Sequence, residues 1–447
     1  LETIEAPRLS SESLENFQEA IRFKTISFNE ETPLDTAEFN GFHKFLAASY
    51  PLVHEKLELE KVVDYSLLYR WTGRDETKNP IILMAHQDVV PLEPGTEEMW
   101  SVDPFEGVVK NDTVWGRGTT DDKMSLISIM EAVEKLLKEN FQPERTIYLA
   151  FGHDEEIGGT GAIAIAKLFE SRKIEAELIL DEGGIVTQDK IPGISKPTAL
   201  IGTSEKGYLS LKLTVEKNGG HSSMPGKETA IDILTQAVVR LRENPFKADF
   251  SQSTKDFIDY IGPEMPFLQR MVFANQWLFK NVIIGIYEGS EGGNAMVRTT
   301  IAPTILDAGV KDNVIPTIAS ATINFRLLPG DNSNQVIQHV TDAINDDRVT
   351  ISKLSFGDEP SEVTPIDGYG FKTVEAAVNK SLSGTLVAPF LMIGATDSRH
   401  FRNVSSNIIK FCPMNDPIGF HGINERISVK GFESGIWFYE QLIRTVK

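Results

Sequence analysis

Cysteine is nearly missing from this chain: its 447 residues contain one, Cys412. That excludes an intrachain disulfide framework, and with no CxxC or Cys/His finger spacing, any metal site must be built from His, Asp and Glu. Basic charge is short as well. Against 64 acidic side chains stand 44 basic ones, a net charge of -20, which repels nucleic-acid phosphates and anionic membrane surfaces. No apolar run approaches the roughly 20 residues that a membrane span needs. An initiator methionine is lacking too, and a start at Leu1 is compatible with an exported protein, secreted or periplasmic, whose N-terminal signal or anchor has been removed. What is present is a chain 41% hydrophobic, long enough for one large or two ordinary domains with proper cores.

The organising stretch is IILMAHQDVV at residues 81–90, read with GRGTTDDK at 116–123. The apolar run Ile81 to Met84, bounded by polar turns, reads as a buried strand with His86 and Asp88 at its carboxyl end. Open α/β sheets bind ligands at that edge. One residue apart on extended backbone, His86 and Asp88 point to the same side, so the imidazole can meet a metal while the carboxylate orients it from behind. Taken alone, HxD is equally a strand-end histidine beside a solvated aspartate.

Helical spacing predicts helices over residues 10–28 and 35–49, and alternation predicts edge strands between 56 and 73. Asp121 and Asp122 precede a helix of apolar period (Met124, Ile127, Met130, Val133, Leu137), where they suit the helix dipole. A strand over 146–151 runs into His153-Asp154-Glu155-Glu156. A helix over 160–171 leads to a strand at 177–180 that ends in Asp181-Glu182-Gly183-Gly184. This alternation means a mostly parallel sheet with right-handed crossovers. Near Ser204 the pattern changes. Strands at 208–215, near 297–307, at 318–328 and at 349–356, with helices at 229–242 and 333–344, form an antiparallel sheet with helices on one face. From Gly370 the α/β pattern returns, with helices at 371–381 and 431–446 and strands near Phe390 and at 407–411. The expected domains are 1–204 and 358–447 for the α/β part, with 205–357 inserted.

Collected from strand ends, the candidates are His86, Asp88, Asp121, Glu155, Glu156, Asp181 and, from the last segment, His421. Such carboxylates converging on one edge would repel one another without cations. Two Zn²⁺ ions sharing one bridging carboxylate need about two further protein ligands each, which this inventory supplies with a carboxylate left over as base. Each piece also has a plain structural explanation: a helix cap for Asp121 and Asp122, a solvated loop for Glu155-Glu156, a turn for Asp181, a surface histidine for His421. His43, His54 and His339 lie in helical or polar contexts and read as structural. The ordered placement of the others directly after predicted strands favours a joint site.

In order along nearly the whole chain, HQD, GRGTTDDK, HDEE, LDEGG, GHSSMPG, NVIP, GATDSR and HGINE resemble the co-catalytic zinc exopeptidases, the family that includes carboxypeptidase S, aminoacylase and the glutamate-releasing carboxypeptidases. SEKGYLSL, GHSSMPGKET, AMVRTTIAPTILDAGVKDNVIP and HGINERISV are similar to the carboxypeptidase S branch and, closer still, to its N-fatty-acyl-amino-acid synthase/hydrolases. The resemblance implies an α/β, mixed but mostly parallel catalytic domain of the zinc-exopeptidase type carrying an inserted α+β, ferredoxin-like lid or dimerisation domain. It implies that His86, Asp121 and Asp181 hold one zinc and that Asp121, Glu156 and His421 hold the other. Glu155 is then the general base, Asp88 orients His86, and the Asp121–Asp122 peptide is cis. In the inserted domain, His221 matches a histidine that hydrogen-bonds the developing oxyanion, often across a dimer interface. Arg326 and Asn313 match positions that grip a substrate carboxylate, although Asn324 stands where an aspartate is common.

The expected activity is dizinc hydrolysis, and reversible formation, of the amide of N-acyl amino acids, with fatty acyl chains favoured. A carboxypeptidase on peptides with apolar termini is the alternative; a receptor or scaffold with a decayed metal site is disfavoured by the intact ligands. The expected partners are therefore a small N-acyl amino acid or short peptide, with no nucleic acid and no membrane span, and a second copy of the chain through the inserted domain. An apolar, aromatic-rich run between 245 and 291 (Met265, Phe267, Leu268, Met271, Trp277, Leu278, Phe279, Val282, Ile283, Ile284 and their neighbours) is either ordinary core or dimer contact, or the wall of an acyl channel.

Overall fold

Three short runs of aliphatic residues, Ile81–His86, Ile147–Gly152 and Leu178–Asp181, are buried along their whole length, as strands covered on both faces must be. The computed structural model describes residues 9–29 and 31–447, and in it these strands are the centre of a nine-stranded mixed sheet. Its order is Glu58–Val62, Ser66–Trp71, Ile147–Gly152, Ile81–His86, Leu178–Asp181, Ile408–Lys410, Thr198–Glu205 and Leu386–Met392, with Val186–Thr187 pairing on Thr198–Glu205. From Ile147–Gly152 to Ile408–Lys410 the pairing is parallel, while Ser66–Trp71 and Thr198–Glu205 join antiparallel. His86 pairs with Gly152, and Lys410 with Asp181, so several chain segments end together at one edge.

Helices cover both faces. On one side Thr160–Arg172 buries Ala162, Ile165, Ala166 and Phe169 against Ile82, Met84, Tyr148 and Ala150. On the other, Lys123–Lys138 packs on the Ile81–His86 strand and against Ser11–Arg22 and Val429–Thr445. Its burial runs nearly all round, from Met124 to Leu136, which is why its apolar residues outnumber a single stripe. The first helix stops at Arg22, short of residue 28. Beyond it Thr25 and Ile26 are drawn into the fold: Val89 donates its amide to the Thr25 carbonyl at 3.0 Å and the Thr25 hydroxyl donates to the Gln87 carbonyl at 2.6 Å. Tertiary hydrogen bonds here override helical spacing, and they brace the segment after His86.

A three-stranded sheet of Val108–Lys110, Thr113–Trp115 and Arg426–Ser428 was not foreseen from the sequence. Strands this short carry too little alternation to be read. It matters because Arg426 pairs with Trp115, which brings the residues after His421 beside those before Asp121.

The chain divides into two compact units: residues 1–203, 364–390 and 396–447, and residues 204–363 with 391–395. The second unit thus runs past the expected end at 357 and takes back a short later segment, whose Met392 carbonyl accepts the Lys206 amide at 3.0 Å. By itself, it is a four-stranded antiparallel sheet in the order Thr300–Ala308, Ile318–Leu327, Gly207–Glu216, Val349–Asp358. Ala230–Glu243 and Ser333–Ile344 bury Ile233, Leu234, Val336 and Val340 against Leu209, Leu211, Ile323 and Phe325, giving a βαββαβ unit. Each of those helices starts with a capping box, Thr229 with Asp232 and Asn332 with Gln335. Between them the chain adds Gln252–Ile261, Phe267–Ala274, Gln276–Glu288 and Glu291–Val297. Among the described residues, no helix is long and apolar enough to cross a membrane.

Candidate metal centre

His86 ends its strand with the imidazole buried. Its Nδ1 lies 3.0 Å from the Asp88 carbonyl and 3.2 Å from Asp88 Oδ1. That leaves Nε2 directed at Asp121 Oδ1, 2.8 Å away, and Glu182 Oε1, 3.4 Å away. The Asp88 carboxylate also accepts the amides of Glu155 at 3.1 Å and Glu156 at 3.2 Å. One side chain therefore sets both the histidine and the acidic turn.

Asp121 faces two ways. The peptide joining it to Asp122 is cis, and while Oδ1 meets His86, Oδ2 lies 2.6 Å from His421 Nε2. His421 Nε2 is in turn 3.4 Å from Glu156 Oε2. Two trios result, His86–Asp121–Glu182 and Asp121–Glu156–His421, with the donor atoms of each within 4.8 Å of one another. They share Asp121.

Asp181 does not join them. Its Oδ2 accepts the Ser398 amide at 2.8 Å and its Oδ1 the Glu182 amide at 3.0 Å, so its neighbour Glu182 supplies the third donor of the first trio. In the expected set His86, Asp121, Asp181, the geometry thus puts Glu182 in the place given to Asp181. The signal was present, since DEGG offers two adjacent acids. Which of them turns inward depends on the Ser398 amide from a segment more than two hundred residues away.

Glu155 sits outside both trios, its Oε1 3.5 Å from an Arg399 amino group. Burial, then the charge of Asp397, push its carboxyl well above the usual range. Burial and Asp121 raise Glu156 to about 7, and burial raises Asp397 to about 8. Burial and the charges of Asp121 and Asp122 push Glu182 up as well. Burial works against the charge on Asp121 too, yet hydrogen bonds from His421 and His86 hold it well below the carboxylate norm. Hydrogen bonds to Asp121 and Glu156 raise His421 to about 10. These are the responses of a buried acidic cluster short of counter-charge. Lys123, which follows Asp122, is turned away and donates to the carbonyls of Ala20 at 3.0 Å and Phe23 at 2.6 Å. Glu156 Oε1 is buried with no hydrogen-bond partner. The residues fit divalent cations: histidine nitrogens turned inward, carboxylate oxygens, a shared aspartate and an orphaned acceptor.

Around this centre, Gly159 has φ of +70° and any Cβ there would collide with the Asp397 carboxylate. Arg399, Ser398 and Asp397 come from GATDSR, a motif to which no role could be given from the sequence. Glu425, equally unassigned, is fully buried and tied to Arg117 at 2.7 Å. His43, His54 and His339 hold structure, as expected. His43 bonds Gln87 at 2.8 Å, His54 bonds Tyr69 at 3.0 Å, and His339 bonds the Asn244 carbonyl at 2.8 Å and stacks on Phe246.

In the second unit, taken by itself, exposed His221 lies in the two-stranded ladder of Gly220–His221 with Val314–Ile315, and the Ser222 amide donates to the Asn313 carbonyl at 3.2 Å. His221 and Asn313 are thus neighbours. Arg326 is on Ile318–Leu327, paired with Tyr208 and with its guanidinium over that ring at 4.7 Å. Asn324 donates to Ser210 Oγ at 3.0 Å.

Two carboxylate–imidazole trios on a shared aspartate, at the carboxyl edge of a mostly parallel sheet, are an arrangement suited to a metal-dependent hydrolase. Residues 82–445 match Peptidase family M20/M25/M40, and the chain belongs to that metal-dependent family. It is a hydrolytic enzyme of the metallopeptidase type. It is 43% identical to the probable carboxypeptidase S-like 2 of Dictyostelium discoideum, over 98% of this chain and 85% of that one. It is 39% identical to the human N-fatty-acyl-amino acid synthase/hydrolase PM20D1, over 95% and 86%. The fold is similar to that of the M20 family metallo-carboxypeptidase Sso-CP2 from Sulfolobus solfataricus, with a TM-score of 0.70 at 18% identity over 98% and 99%.

Proposed function

We propose that the chain is a two-zinc amidohydrolase that cleaves, and by reversal forms, the amide bond of N-fatty-acyl amino acids. The observation that carries this is Asp121, which turns one oxygen to His86 and the other to His421 and so belongs to both trios, with Glu155 outside them. Those five residues would hold the ions. When bound, two zinc ions supply Lewis acidity and the missing counter-charge.

The rest of the chemistry falls to the protein. Glu155 takes the proton of the attacking water and passes it to the nitrogen of the leaving amine. Its raised proton affinity suits both halves of that transfer. Asp88 holds His86 in the tautomer that keeps Nε2 free, and fixes the Glu155–Glu156 turn through two backbone amides. His221 donates to the developing oxyanion. Arg326 and Asn313 grip the substrate carboxylate, the guanidinium lying over the Tyr208 ring and able to make a bidentate contact. In this reading, the second unit is a lid that brings these groups to the substrate, and a dimerisation domain. Its edge strand Thr300–Ala308 leaves Ile305 and Leu306 exposed, and light scattering that returned only monomer would remove the dimer.

The acyl preference is supported by relatives named for N-fatty-acyl amino acids and by the second unit's own surface. Phe267, Leu268, Met271, Trp277, Leu278, Val282 and Ile286 are exposed along Phe267–Ala274 and Gln276–Glu288, while Ile283 and Ile284 are buried. A trimmer of polar peptides has no use for such a face. The relatives named carboxypeptidase S-like support the second reading, cleavage of peptides with apolar residues. Elemental analysis combined with turnover of N-oleoyl- and N-acetyl-phenylalanine beside an apolar dipeptide decides. Fewer than two zinc ions per chain, or activity on the dipeptide alone, would overturn the proposal.

A further inference from the structure

Glu425 is a fully buried carboxylate outside both trios, and its two oxygens accept from four donors. Arg117 donates to Oε2 at 2.7 Å and the Gly118 amide to the same oxygen at 3.0 Å. The Thr120 amide and hydroxyl donate to Oε1 at 2.7 and 2.9 Å. All four donors lie in the turn that ends at Asp121. The second arm of Arg117 reaches the His421 carbonyl at 3.4 Å. One ion pair therefore joins the turn presenting the shared aspartate to the loop presenting His421, some three hundred residues apart in the chain.

The two trios differ in what else supports them. His86 and Glu182 follow buried central strands, and His86 is fixed independently by Asp88. His421 stands on an exposed loop with a left-handed backbone, φ +55°, and its side chain is half exposed. Beyond its approach to Asp121 and Glu156, its loop is tied by the Arg117 contact, at Asn424 by the Ser101 amide at 2.7 Å, and at its end by the Gly116 amide, which donates to the Glu425 carbonyl at 2.9 Å.

We propose that Glu425 is a positioning residue that, through Arg117, sets the affinity of the metal position formed by Asp121, Glu156 and His421 more than that of the position formed by His86, Asp121 and Glu182, which shares the turn at Asp121 but takes its other two ligands from the ends of buried central strands. This rests on the two-metal reading above. Partners one step behind a metal ligand are typically worth about 10- to 100-fold in metal affinity, and here that weight falls mainly on one of two positions. The second position is then the one loaded last and lost first.

The test is a Zn²⁺ titration of the chelator-stripped full chain against a competing chelator, with stoichiometry by elemental analysis, for wild type and Glu425→Gln. Gln keeps the shape but loses the charge that holds Arg117 and one of the two acceptors. The expected result is one zinc bound nearly as in wild type and the second weakened about 10- to 100-fold, with the circular dichroism of the stripped protein unchanged. Two zincs bound as in wild type, or both weakened alike, would overturn the proposal. If Glu425→Gln does not yield folded protein, Arg117→Lys decides by the same criterion: lysine can pair with Glu425 but has no second arm for the His421 carbonyl. A wild type that binds a single zinc defeats the two-metal reading instead, so the two failures are distinguishable.

Discussion

Replacing Glu155 with glutamine separates the base from the ligands more cleanly than any other change at this centre. The backbone of the turn is held by Asp88 through the amides of residues 155 and 156, and those bonds survive a side-chain amide. Neither trio contains Glu155. What disappears is the group that accepts and returns the proton, worth about 10²- to 10⁴-fold in rate, or roughly 2.7–5.4 kcal/mol of barrier at 1.36 kcal/mol per factor of ten. The fall should lie in kcat, with KM and zinc content near wild type. Steady-state kinetics on an N-acyl amino acid with zinc analysis of the same sample is sufficient. Retention of kcat within tenfold, or loss of zinc in step with activity, would refute the assignment and exchange the roles of Glu155 and Glu156.

Glu182→Gln should reduce zinc content, whereas Asp181→Asn should leave both ions in place and act through the Ser398 contact. The opposite order would restore Asp181 as the ligand. Asp88→Asn should weaken zinc by about 10- to 100-fold, measured by chelator competition, because the negative charge behind His86 is lost. The chelator-stripped protein should lose stability as pH rises from about 5 toward 10: Glu156 at about 7 and Asp397 at about 8 are raised above their usual carboxyl values, and His421 at about 10 above its usual 6.5. Each favours the protonated folded state, a contribution complete below the unfolded value and lost through the folded one. Thermal melts with and without zinc across that window check the sign, and a stripped protein that gained stability with pH would contradict it. Lengthening the acyl chain should raise kcat/KM by up to about fourfold per methylene, the equivalent of roughly 0.8 kcal/mol, until the apolar surface is covered. Exchanging Leu278 and Val282 for serine should flatten that slope while sparing N-acetyl substrates.

Much of the site was legible because its chemistry is local to strand ends. A buried apolar run must be a strand, a residue at its carboxyl end must face the binding edge, and HxD places a carboxylate behind an imidazole by alternation alone. His86, Asp88, Asp121, Glu155 and Glu156 were found in this way, each beside an element whose period could be read. His421 has no such neighbour. Its segment was placed by resemblance, and spatially it is brought to Asp121 by a ladder of three-residue strands too short to show alternation.

What only the tertiary structure decided are choices between equivalent local options. Asp181 and Glu182 are adjacent acids, and the amide of Ser398 determines which one turns to the centre. The helix that begins at Ser11 could have run on, but Thr25 and Ile26 bond to the segment after His86 and end it. Glu425 is one of 64 acidic residues in the sequence, and nothing in HGINER marks it. Its importance comes from donors at Arg117, Gly118 and Thr120, about three hundred positions away. Sequence by itself determined which residues could bear charge at the sheet edge, because periodicity is a short-range property of the backbone. The partners of each charge, and so its orientation, were set by long-range packing, because a buried carboxylate must find its donors wherever the fold brings them.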